Sequence, residues 1–131
     1  MNSDSFFWAR TSPFLLSILR IITGFLFMQH GAQKLFGLLG GSQVPLLSLM
    51  GLAGILEFFG GALVLIGLAT RPAAFILSGQ MAFAYFMAHS HTSFWPILNH
   101  GDTAVLFCFV FLYLSAAGAG PLSVDRALHR R

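Results

Sequence analysis

Charge is what this sequence is short of. Only 8% of its 131 residues are Asp, Glu, Lys or Arg, where a soluble domain carries about 25%. A chain this short exposes much of its surface, so the deficit excludes a water-soluble globular domain and points into the bilayer. Cysteine is equally scarce: Cys108 stands alone. A lone thiol forms neither an internal disulfide nor a C-x-x-C pair, which argues against a thiol–disulfide oxidoreductase. No segment alternates apolar and polar residues with period two, which argues against a transmembrane strand barrel. The seven basic residues form no contiguous patch, so nothing here invites nucleic acid. A removable signal peptide is also not indicated. No basic residue precedes Arg10 and no small-residue cleavage motif follows the first apolar run, so that run is expected to be retained.

What is present is apolar: 56% of residues are hydrophobic and 15% aromatic, with a mean hydropathy of +0.80. Spanning a bilayer as a helix takes about 20 such residues. Runs at about 13–36, 46–68, 73–90 and 102–119 qualify, predicting an all-α, four-transmembrane-helix bundle that forms one membrane domain over 1–131. Pro13 suits the first turn of the first helix, where its missing N–H costs nothing. Four spans put both termini and the middle connection on one side. That side carries Arg10, Arg71, Arg126, Arg130 and Arg131, with Arg20 close by, and the positive-inside rule then makes both termini cytoplasmic. His89, His91 and His100 fall on the other side, where Phe94 and Trp95 suit an interfacial belt. The expected location is a bacterial inner membrane, crossed several times, with the lipid bilayer as the first partner.

Ionisable groups within a span are costly and face a partner or a cavity. Arg20, Lys34 and Glu57 are the three here. Glu57 lies roughly 16 Å from either end of its span, at 1.5 Å per residue, whereas Lys34 and Arg20 can snorkel toward the nearer surface. At 100° per residue, Arg20, Gly24, Phe27, Gly31 and Lys34 share one face, with His30 at its edge. Met50, Gly54, Glu57, Gly61, Val64 and Leu68 share another, and Ala73, Gln80, Ala84, Met87 and His91 a third. Turned inward, these stripes place Arg20 and Gln80 within reach of Glu57, with His30 above it. Such a pair either fixes helix register or handles a proton or ligand. Gln29 and Gln33 read as interhelical hydrogen bonders. His30, His89, His91 and His100 are candidate metal or haem ligands, although no carboxylate or cysteine set accompanies them.

Three stretches together carry a resemblance: RIITGFLFMQHGAQKLFG, EFFGGALVLIGLATRPAA and LYLSAAGAGPLSVDRAL. They resemble the DoxX family of small bacterial membrane proteins, over about Arg20 to Leu128. The matching elements are Arg20 and Gly24, His30-Gly31 with Lys34, Glu57 with Gly60-Gly61, Arg71, and the closing Gly120, Ser123 and Asp125. Many relatives have glutamate after the asparagine-glycine that opens the last helix, where this chain has Asp102. The resemblance implies a four-helix membrane bundle and a redox setting. The family takes its name from a subunit linked to a terminal quinol oxidase, and other members look like partners of membrane redox complexes.

The expected function is therefore a membrane subunit of a redox system, quinone-linked, and not a complete enzyme by itself. His30 and Glu57 would act as hydrogen-bond donor and proton acceptor. Arg20, which would hold Glu57 ionised, Lys34 and Gln80 would complete the ligand site. Electrons would come from another membrane or soluble redox protein, or from a haem held by two histidines. Two other readings stay open: a non-catalytic scaffold that anchors redox partners, and a small proton or solute transporter, which would need a homo-oligomer.

Overall fold

The computed structural model describes residues 3–129, so Arg130 and Arg131 of the charge argument lie outside the described residues. Within them the chain is helical, with no strand. Helix α1 spans Ser3–Phe36 and α2 spans Leu49–Ile66, interrupted by a π-helical turn over Leu56–Gly60. Helix α3 spans Thr70–Ala88, α4 is the short Pro96–Asn99, α5 spans Asp102–Ala117 and α6 spans Val124–His129. The helices α1 and α2 are long and apolar enough to cross a membrane, and only 28% of each apolar window is buried inside the protein. That share is low for the core helix of a soluble fold, and the exposed side chains include Phe14, Ile18, Ile22 and Phe25.

Helix boundaries shift from those expected, for local reasons. The first helix begins ten residues before Pro13, which is interior to it. The proline removes one backbone bond at an exposed position, where the freed carbonyl of Ala9 is not sealed from solvent. Helix α2 starts at Leu49 because Ser48 caps it, its side chain accepting from Gly51 N–H. It stops at Ile66 because Gly67 turns left-handed, at φ +71°. Helix α3 starts earlier than expected, at Thr70, with Pro72 in its first turn.

Helix α1 packs along α2, and α3 along α5. In lipid there is little hydrophobic drive between helices, so close backbone approach has to supply the contact energy. A methyl on Gly31 would come 2.4 Å from Phe58 N, and one on Gly24 2.6 Å from Leu65 N. Only glycine fits at either place. The two pairs meet through Phe27 of α1, whose ring lies 5.1 Å from Phe107 and 4.8 Å from Phe111 of α5. Val64, Ala74, Leu77 and Leu114 complete this core.

Charged side chains tie the helices together at one end. Helix C-termini leave carbonyls without intrahelical partners and attract cations. Arg20, fully buried, donates to Val64 O at 2.8 Å and Leu65 O at 2.6 Å at the end of α2. Its other nitrogens donate to Ala119 O at 2.8 Å and to Leu122 O, in the segment after α5. Arg71 similarly donates to Ser115 O and Ala116 O at the end of α5. Asp125 does the converse for α3, accepting from Ala69 N–H at 2.8 Å and Thr70 N–H at 3.0 Å.

Burial pushes the Asp125 carboxyl up, but the hydrogen bonds from Thr70 and Ala69 outweigh it and hold it below the ordinary carboxylate value. A carboxyl lower in the folded than the unfolded chain stabilises above its unfolded value, about 3.9, and that contribution fades as pH falls through the folded value. Asp125→Ala is expected to cost about 1–2 kcal/mol near neutral pH, as loss of a helix cap does. Thermal unfolding in mild detergent should show the gap to wild type closing below about pH 4.

Candidate functional site

The buried charge of α2 meets a partner that the sequence did not indicate. Glu57 sits in the π-helical turn, a local widening that recurs at functional sites. Its side chain is 5% exposed and pairs with Lys34 of α1, Nζ to Oε2, at 2.6 Å. The expected Arg20–Glu57 contact does not form. Arg20 spends its donors on four backbone carbonyls, which need them because two segments end there. Lys34 does not snorkel away. Gly54 faces it, since a methyl there would stand 3.0 Å from Lys34 Cβ, and the missing side chain leaves room for the lysine to lie along α2.

Gln80 of α3 is the third member. Its Nε2 donates to Glu57 Oε1 at 3.2 Å, so the amide orientation is set by the carboxylate, which can only accept. That leaves Gln80 Oε1 buried without a hydrogen-bond partner. Unsatisfied buried acceptors are uncommon and costly.

These three side chains line a cavity of about 640 Å³ between the two helix pairs. Phe27, Leu56, Met81, Ala84, Ala104 and Phe107 supply much of its apolar wall. His30, His89 and His100 also line it. The His30 ring stands edge-on to Phe107, with centroids 6.1 Å apart. His89 Nδ1 is 3.0 Å from Asn99 O, and His100 takes a left-handed backbone at φ +59°. His91 is exposed and outside the lining. Among the described residues no three of His, Cys, Asp or Glu gather as a metal-holding group.

Other expectations on the stripes are also corrected. Met50 is not inward but 51% exposed, at the cavity's edge. Gln33 does not bridge helices; it donates to Leu39 O in the loop after α1, where a free carbonyl lies closer than any neighbouring helix offers.

Asn99 is a structural residue that the sequence reading passed over. It is buried and donates to the Tyr85 hydroxyl at 3.0 Å and to Ser93 O at 2.9 Å. Its Oδ1 accepts from Gly101 N–H at 2.8 Å. It thereby closes the connection between α3 and α5 over one end of the cavity. The signal available was an asparagine inside an otherwise apolar PILNHG stretch.

Comparison with known proteins gives a consistent setting. The DoxX family model matches residues 15–90. A Haemophilus influenzae "Uncharacterized protein" is 36% identical over 126 residues, covering 91% of this chain and 94% of its own. The "Inner membrane protein YqjF" of Escherichia coli is 29% identical over 127 residues, covering 87% and 92%. The "Putative oxidoreductase CatD" of Bacillus subtilis is 28% identical over 113 residues, covering 82% of each. No solved structure matches.

Proposed function

The chain belongs to the DoxX family of membrane proteins, and from that premise we propose that it is a quinone-linked membrane subunit whose head-group site is Lys34, Glu57 and Gln80. One observation carries the reading: an ion pair with a buried carboxylate opens on an apolar cavity large enough for a ring and part of a tail. The oxidoreductase name of the Bacillus relative supports the redox setting. In this reading α1, α2, α3 and α5 all span a bacterial inner membrane, with both termini on the cytoplasmic side.

The residues fit a quinone head. Lys34 has N–H donors beyond the one given to Glu57, and they suit a quinone oxygen. Gln80 Oε1 is a spare acceptor for the hydroxyl of the reduced form. Glu57 holds a carboxylate where a proton could be received, and His30 borders the cavity as a further donor. The bound quinone would supply coupled electron and proton transfer, with electrons passing to or from a partner protein.

A scaffold is the competing reading, favoured by the fact that Lys34 and Glu57 already satisfy one another. Organic extraction of protein purified in mild detergent separates the two. A stoichiometric quinone that is depleted in Gln80→Leu supports the site. Wild-type protein free of quinone, and unable to take it up from loaded vesicles, would end that reading in favour of the scaffold.

A further inference from the structure

The cavity has a second property, which concerns how it is reached. Helices α2 and α3 are joined by the turn at Gly67–Ala69 and touch as far as the Glu57–Gln80 hydrogen bond. At Gly60 a methyl would come 2.8 Å from Leu77 Cδ2. Farther from the turn they touch little, and their side chains line the cavity from its two sides. Met50 and Leu52 of α2 are 51% and 53% exposed, and Ile76, Phe83 and Met87 of α3 are 56%, 53% and 56% exposed. A side chain that lines a cavity while more than half exposed sits on its rim. The rim is wholly apolar and runs along the flank of the bundle, where lipid would lie.

Gly79 lies on this flank. Glycine inside a helix is less favourable than alanine, so its presence calls for a reason. At Gly24, Gly31, Gly51, Gly54, Gly60 and Gly61 the reason is packing, since a methyl would meet another group within 3.0 Å. At Gly79 a methyl would meet nothing within 4 Å. Close packing does not require this glycine, and what it leaves is open space on the cavity lining.

We propose that the gap between α2 and α3, which no bulky side chain fills at Gly79, is a lateral portal through which a membrane-dissolved amphiphile enters the cavity. Its hydrogen-bonding head reaches Lys34, Glu57 and Gln80, and its apolar tail leaves between Met50, Ile76, Phe83 and Met87. The identity of the head rests on the quinone reading; the portal does not.

Photolabelling of the reconstituted full chain tests this. Three diazirine probes are used: a decyl-tailed benzoquinone, the same quinone without the tail, and a head-free alkane. The labelled positions are read by mass spectrometry in wild type, Gly79→Ala and Gly79→Phe, with Ile22 and Phe25 on the outer face of α1 as the internal reference. The tailed quinone should label cavity residues in wild type and Gly79→Ala, and several-fold less in Gly79→Phe, with reference labelling unchanged. Equal cavity labelling in Gly79→Phe overturns the portal. So does a tail-less quinone that labels the cavity as strongly as the tailed one and ignores Gly79, because it would have entered from water. If the alkane shows the Gly79 dependence but the quinone head adds nothing, the portal stands and the quinone reading falls.

Discussion

Lys34→Met will destabilise the protein by about 3–5 kcal/mol, the range for breaking a buried pair by removing one partner, and Glu57→Gln will cost clearly less. The two side chains share one ion pair, so the asymmetry comes from what each loss leaves behind. Without Lys34, a carboxylate only 5% exposed keeps Gln80 as its sole side-chain partner. Without the Glu57 charge, a lysine that is 21% exposed can swing its flexible stem toward the surface. The double variant Lys34→Met/Glu57→Gln should regain most of the stability, because removing both charges leaves no uncompensated ion. Thermal unfolding in mild detergent measures all three, and quinone uptake from vesicles gives the second readout. A double variant that is stable yet takes up no quinone places the pair in a ligand site. If it is stable and binds normally, the pair only sets helix register, and the site assignment is wrong.

Arg20→Met will cost more still, on the order of 5 kcal/mol, the exceptional end of single-site effects. It leaves the carbonyls of Leu65 and Leu122 without the side-chain donor they have now and those of Val64 and Ala119 with only the Gly67 N–H and the Ser17 hydroxyl, and an unsatisfied buried group costs about 1–3 kcal/mol. Arg20→Lys is expected to recover only a fraction. An ammonium carries its donors on one atom, whereas these carbonyls lie around a planar fork. The expected outcome is poor accumulation in the membrane for methionine and a lowered unfolding temperature for lysine. A lysine variant as stable as wild type would show that charge alone, and not the fork, is what this position requires.

The two variants also mark where sequence reasoning held and where it stopped. Helical periodicity put Arg20, Gly24, Phe27 and Gly31 on one face, and all four are buried. It did the same for Gly54, Glu57, Gly61 and Val64. Periodicity gives the face but not the neighbour. Assigning Arg20 to Glu57 followed from helix face, depth and opposite charge, and ignored the unpaired carbonyls that gather wherever helices end. Those carbonyls come from backbone, which carries no residue signature. The ties by Arg71 and Asp125 were hidden for the same reason, although Asp125 stood in the family-like LSVDRAL stretch. The cavity was not legible either. It depends on how far α2 and α3 part, a property of packing and not of any residue in isolation.

The Arg20 fork also bears on the order in which the protein can be made. Its partners lie 44, 45, 99 and 102 residues downstream. During synthesis the guanidinium precedes all of them. It gains two acceptors when α2 emerges, and the rest only after α5 and the turn behind it are complete. Until then the first helix carries an ion with only part of its hydrogen bonds made. Closing the fork is thus a late event in biogenesis, one that tells a finished bundle from an unfinished one.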